Sequence, residues 1–211
     1  MAGLFISFEG TEGSGKSTQI SRLAARLEKL AREVVVFREP GGTPVGEEIR
    51  HTLQHSAANH ALTPETELLL LNASRAQLVR EAIRPALAAG KIVLCDRFFD
   101  STTAYQGHGR QLDAAMVRAV IDIAVGETRP HLTLLLHVPL AISEARRRMR
   151  AASLPAIRDR MEEADRAFFE RVEAGFLAIA AAEPQRVKLI DATRSPDEVA
   201  EDIWRHVEPR L

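Results

Sequence analysis

Five short apolar runs punctuate the chain: Leu4–Phe8, Val34–Phe37, Ile92–Cys95, Leu132–Val138 and Val187–Ile190. Each is too brief for a typical helix, and near-continuous apolarity fits a strand buried on both faces. Between these runs, apolar residues recur at spacings of three and four with charges in the gaps. This pattern covers Ser17–Ala31, Pro64–Ala89, Asp113–Val125, Pro139–Met149, Met161–Ala182 and Ser195–Val207, and it predicts helices. Asp113 is an expected N-cap. Ser195, followed by Pro196, Asp197 and Glu198, combines a cap, a first-turn proline and acidic residues at the positive helix end. Strands alternating with helices imply right-handed crossovers and a parallel sheet covered on both faces, with ligand beyond the strands' carboxyl ends. The expected fold class is α/β.

Composition adds limits. At 211 residues the chain is long enough for one domain with a full core, so a single domain over 1–211 is expected. Lys and Arg total 28 against 29 Asp and Glu, a net charge of −1 that gives no global reason to expect nucleic acid or membrane as partner. The lone Cys95 cannot form an internal disulfide, and the N-terminus enters a strand-like run without a leader pattern. No apolar run approaches the ~20 residues of a spanning helix. A cytoplasmic location is the expectation. No internal repeat or low-complexity linker is visible.

Gly10-Thr11-Glu12-Gly13-Ser14-Gly15-Lys16-Ser17 matches the P-loop pattern at every position, after the first strand and before the first helix. In such a loop glycines let backbone N–H groups point at phosphate oxygens, and the helix N-terminus adds positive potential. Lys16 is expected to reach the β- and γ-phosphates of ATP, Ser17 to ligate Mg²⁺, and Thr18 to complete the cradle. A P-loop leaves ATPases, GTPases and small-molecule kinases open. The Asn-Lys-X-Asp segment of a guanine reader is absent. After the third strand, Asp96 can face the metal region and Arg97 an anionic acceptor.

Together with Phe8-Glu9-Gly10, Phe37-Arg38-Glu39-Pro40-Gly41-Gly42-Thr43, Arg75-Ala76-Gln77-Leu78-Val79, Asp96-Arg97, Ser101–Gly107, Asp159-Arg160-Met161-Glu162 and Ile190-Asp191-Ala192-Thr193, the loop makes nearly the whole chain resemble the bacterial thymidylate kinase family. The resemblance implies a P-loop kinase fold, a five-stranded parallel sheet with helices on both faces and a basic lid. It also implies a homodimer and in-line transfer from ATP·Mg²⁺ to dTMP, giving dTDP for dTTP synthesis. By the same resemblance Glu12 approaches the sugar 3′-hydroxyl, and Glu39, followed by Pro40, sits beside the reacting phosphates and their metal. Arg50 and Arg97 hold the acceptor phosphate. Arg75 bonds the pyrimidine edge, Thr102 and Gln106 read the base, and Tyr105 packs under the sugar.

Arginines crowd 146–160: Arg146, Arg147, Arg148, Arg150, Arg158 and Arg160. Because the P-loop carries no arginine between Gly10 and Lys16, a cation for the transferring phosphoryl group is expected from this lid, Arg150 and Arg158 being preferred. Arg150–Arg158 reads as a loop between helices. Leu71 stands where the family usually places a phenylalanine over the thymine ring, and His137 where an aspartate is expected before Val138. His137 is read as a local packing or hydrogen-bonding change rather than a new catalytic base. His51, His55 and His60 form no recognisable zinc set. A kinase for another pyrimidine monophosphate, and a nucleotide-binding protein without catalysis, stay open at this point.

Overall fold

A computed structural model of the chain describes residues 3–153 and 165–211. Its sheet has the order β2-β3-β1-β4-β5, every neighbouring pair parallel. The strands are β1 (Leu4–Glu9), β2 (Val34–Arg38), β3 (Ile92–Asp96), β4 (Leu132–His137) and β5 (Val187–Asp191). All five expected strands are present. Four run one residue past the apolar run, into Glu9, Arg38, Asp96 and Asp191, and β4 stops at His137, short of Val138. The ladder reaches these positions through pairs such as Phe8 with Asp96 and His137 with Asp191. The apolar run thus stops where the backbone continues to the polar edge of the sheet.

Alternation sorts the strand residues to two faces. Ile6, Phe8, Ile92 and Leu94 join Leu132, Leu134 and Leu136 against α1 (Lys16–Lys29), where Ile20, Leu23 and Leu27 meet Ile203 and Trp204 of the last helix. Phe5, Val93 and Cys95 face the opposite way, toward Leu68, Leu78, Val117 and Ile121. The sheet is covered on both sides, as the continuous apolar runs imply.

Helices the periodicity missed lie next to the carboxyl edge. These are α2 (Pro44–Gln54), α5 (Phe99–Thr102) and the π-helical turn Thr103–Gly109 that continues it. The start of α2 does carry a signal, since Thr43 accepts a hydrogen bond from Gly46 N–H and Pro44 takes the first turn. Phe99–Gly109 has no apolar period because every residue of α5 is buried.

The expected helix Pro64–Ala89 is interrupted. It consists of α3 (Pro64–Leu78), a wider π turn over Val79–Ile83 and α4 (Arg84–Ala88). Pro85 has no N–H to give the preceding turn, a sufficient reason for the register change. Arg80 covers freed carbonyls, donating to Ala76 O of its own helix and to Ala124 O at the end of α6 (Ala114–Val125).

Two further expectations need correction. Helix α7 (Leu140–Ser153) extends past Met149, so Arg150 lies in a helix rather than at the start of a loop. The next helix, α8, is described over Arg166–Ala182 and capped by Asp165. The segment 154–164, including Arg158 and Arg160 and the expected helix start at Met161, lies outside the described residues. Ser195 caps α9 (Pro196–Val207), as read, and Glu198 completes a reciprocal capping box with it.

Candidate active site

Gly10 leaves β1 with φ +132°, and a Cβ there would meet the Leu136 carbonyl oxygen at 2.3 Å. Only glycine lets the loop pass so close to β4. Lys16 Nζ then folds over the loop, donating to the carbonyls of Gly10 and Thr11 at 3.0 Å each and reaching Ser14 Oγ at 3.5 Å. Burial first, and then the neighbouring Arg97 charge, push its pKa down to about 7. A buried ammonium of this kind gains strongly from an anionic neighbour. Ser17 Oγ donates to Asp96 Oδ2 at 3.2 Å, joining α1 to the end of β3.

Arg97, directly after β3, has the left-handed φ of +68°. Non-glycine residues rarely hold that conformation without compensation. Here Phe98 N–H donates to Glu9 Oε1 at 2.7 Å, and Ser101 Oγ lies 2.6 Å from Glu9 Oε2. The Arg97 guanidinium donates to Gly10 O, Ser101 Oγ and Tyr105 Oη, and its carbon lies 5.1 Å from the Tyr105 ring centre. Burial opposes its charge, but Tyr105, Asp96 and Glu9 hold its pKa above the ordinary arginine value. Glu9 pays for this arrangement: burial, then Asp100, raises its own pKa to about 8.

Across the cleft, Arg75 is 2% exposed. Its Nε donates to Glu39 Oε2 at 2.8 Å and its Nη2 pairs with the same oxygen at 2.7 Å. Nη1 donates to Asn72 Oδ1 and Thr102 Oγ1, and Nη2 to Phe98 O. Burial raises the Glu39 pKa, opposed by Arg75. Its Oε1 is buried without a hydrogen-bond partner among the described residues. Arg50 donates to Pro40 O at 2.9 Å.

One cavity of about 630 Å³ joins these groups. Glu12, Gly13, Gly15, Lys16, Ser17 and Thr18 line it on the P-loop side. Glu39, Pro40, Arg50, Leu71, Arg75, Asp96, Arg97, Thr102, Tyr105 and Gln106 line the other walls. Gly10, Thr11 and Ser14 shape the loop from behind. The volume lies within the range of small-molecule sites.

The thymidylate kinase family model matches residues 8–203. The chain belongs to the thymidylate kinase family. Thymidylate kinases of Syntrophotalea carbinolica and Deinococcus radiodurans are 51% and 47% identical to it, over 95% and 99% of this chain and 93% and 98% of theirs. It is also similar to the crystal structure of thymidylate kinase from Ehrlichia chaffeensis, with a TM-score of 0.78, 32% identity and 99% of both chains covered. ATP is the phosphate donor of this family.

Both departures from the thymidylate kinase pattern now have a place. Leu71 lines the cavity with Arg75, where an aliphatic side chain covers a ring without stacking on it. His137 Nε2 lies 2.8 Å from Glu173 Oε1 on α8 and does not line the cavity, in keeping with a local hydrogen-bonding change. His51 and His55 meet edge to face, ring centres 5.9 Å apart. Cys95 is fully buried beneath the site, and burial raises its pKa well above a free thiol's.

On α7, Arg146 reaches the loop, while the Arg150 side chain and the whole of Arg158, the preferred pair, lie outside the described residues. Arg146 donates to Gly13 O at 3.2 Å and to Ala192 O at 3.1 Å, and one turn earlier Ser143 donates to Glu12 O at 2.7 Å. The i, i+3 spacing of Ser143 and Arg146 on a predicted helix signals a shared face. Sequence reasoning assigned no role to Glu9, Asn72, Ser101, Glu67 and Arg110, although Glu9 and Ser101 lie in segments that carry the family resemblance. Ser101 lines the cavity, and the other four hold residues that do, or hold their neighbours.

Proposed function

We propose that the chain, as one domain over 1–211, transfers the γ-phosphate of ATP to the 5′-phosphate of dTMP, giving ADP and dTDP by in-line displacement. The observation that carries this is the single cavity in which the P-loop faces Arg97 and Arg50 across from the Leu71, Arg75, Thr102 and Gln106 wall. That arrangement suits two phosphate groups in line and a planar base beyond them. The acceptor is already a phosphate anion, so positioning and charge neutralisation dominate over general-base help. In this reading Lys16 spans the donor phosphates and Arg97 holds the acceptor phosphate with Arg50. Glu12 approaches the sugar hydroxyl, and Tyr105 supports the sugar.

Ser17, Asp96 and Glu39 offer only oxygen, the donor type Mg²⁺ selects, and the unpartnered Glu39 Oε1 fits a cationic neighbour. Mg²⁺ held there would neutralise developing phosphate charge. Among the described residues no three His, Cys, Asp or Glu side chains cluster to hold a metal alone. That accords with an ion bound largely through phosphates and water.

Arg146, Arg150 and Arg158 are the lid candidates for the transferring phosphoryl group. Turnover of Arg150→Ala and Arg158→Ala tests the original pair: unchanged rates in both would leave Arg146 to carry the role. A cytoplasmic homodimer completes the reading. No helix among the described residues is long and apolar enough to cross a membrane, and α3 and α6, which pack together, expose Leu69, Met116 and Ile123. The decisive experiment is a panel of nucleoside monophosphates with ATP, followed by coupled ADP release. Preference for dTMP is expected; a faster rate with another monophosphate would overturn the assignment.

A further inference from the structure

Behind the base-facing wall, against Gln106, lies a buried carboxylate that the proposed chemistry does not use. Glu67, on α3, is 3% exposed and forms an ion pair with Arg110. Arg110 donates to both carboxylate oxygens, from Nε to Oε1 at 3.2 Å and from Nη2 to Oε2 at 3.0 Å. Its guanidinium carbon also lies 4.8 Å from the Phe168 ring centre, which fixes its approach. Oε1 of Glu67 receives a further bond, 2.8 Å from Gln106 Nε2. Gln106 is itself 1% exposed and lines the cavity.

An amide can turn either end toward a neighbour, and neither end is distinguished by shape. A carboxylate paired with a guanidinium removes that freedom, because it accepts and does not donate. The amide nitrogen must face Glu67, leaving the carbonyl oxygen for the cavity.

We infer that Glu67, held by Arg110, is a positioning residue that locks Gln106 with its carbonyl oxygen toward the acceptor nucleotide, so that the wall selects a base offering an N–H donor there. Resting on the kinase reading above, this names the basis of choice among pyrimidines. Thymine and uracil carry an imino N–H on the ring edge. Cytosine has an unprotonated ring nitrogen at that atom and would meet the Gln106 oxygen lone pair to lone pair. A site built to pair with a hydrogen-bonding group discriminates far more strongly than one that senses shape alone.

The test compares kcat/KM for dTMP and dCMP in the wild type, Glu67→Gln and the exchange variant Glu67→Gln/Gln106→Glu, with a thermal melt of each. In Glu67→Gln the facing amides leave Gln106 free to turn, and the dTMP/dCMP ratio is expected to fall at least about tenfold. The exchange variant again directs a carboxylate oxygen to the cavity and is expected to recover most of the preference. It also decides the matter if the single variant does not fold. A merely structural role would lower both substrates together and leave the ratio unmoved. A folded Glu67→Gln with the wild-type ratio, or an exchange variant without dTMP preference, overturns the inference alone. A wild type that favours dCMP or phosphorylates neither nucleotide overturns the kinase reading and the inference with it.

Discussion

Arg97 holds a left-handed backbone beside a P-loop because Glu9 clamps the turn from below. One carboxylate oxygen takes the Phe98 amide, and the other bonds Ser101, which in turn accepts from Arg97. Replacing Glu9 by Ala removes both supports, and turnover should fall at least about tenfold, roughly the cost of misplacing one charged hydrogen bond. Glu9 also imposes a pH dependence on folding. The unfolded chain releases this proton near 4.5, whereas the folded protein keeps it to about 8. Stability should therefore decline as pH rises across that window and level off above it. Urea denaturation from pH 5 to 9 should show a flatter profile for Glu9→Gln than for the wild type. Lys16 belongs to the same scale: Lys16→Ala should abolish ADP release while circular dichroism and melting stay close to wild type, since its bonds, to two carbonyls and the Ser14 hydroxyl, all lie within the loop.

Element ends show which local rules hold without help. The start of α9 was legible because its cap, proline and acidic residues sit within four positions, and the structure adds that Ser195 and Glu198 satisfy each other there. Ser195→Ala should cost about 1 kcal/mol, or roughly 2–4 °C in melting temperature for a chain of this size. The π turn at Val79–Ile83 was not legible in the apolar pattern, which runs straight through it, although Pro85 marked the place. Helix α2 was passed over because its apolar residues are few and only Gly46 and Leu53 are buried. The segment Phe99–Gly109 was passed over for the opposite reason. Buried on nearly every side, it shows no period at all.

For the whole molecule, the exposed apolar residues of α3 and α6 bear on assembly. Ile123 is 75% exposed and Leu69 58% exposed, on two helices that pack together, and a second copy covering both is the arrangement to test. Light scattering should give twice the 23.3 kDa chain mass, and Ile123→Glu should shift it toward the monomer. An unchanged mass for that variant would place the interface elsewhere.

The sheet, its parallel direction and the cradle followed from sequence because each rests on contiguous residues: apolar runs of four to seven, and an eight-residue loop whose glycines have one mechanical use. A resemblance across separated segments then brought Arg75, Arg97, Thr102 and Gln106 into view together. Tertiary structure alone decided what holds them. Glu9 is 92 residues from Ser101 in the chain, and Glu67 is 39 from Gln106. Neither distance leaves a periodic trace, and a buried carboxylate reads in sequence as an ordinary polar residue. Its partners become known only when the folded backbone removes every alternative, water included.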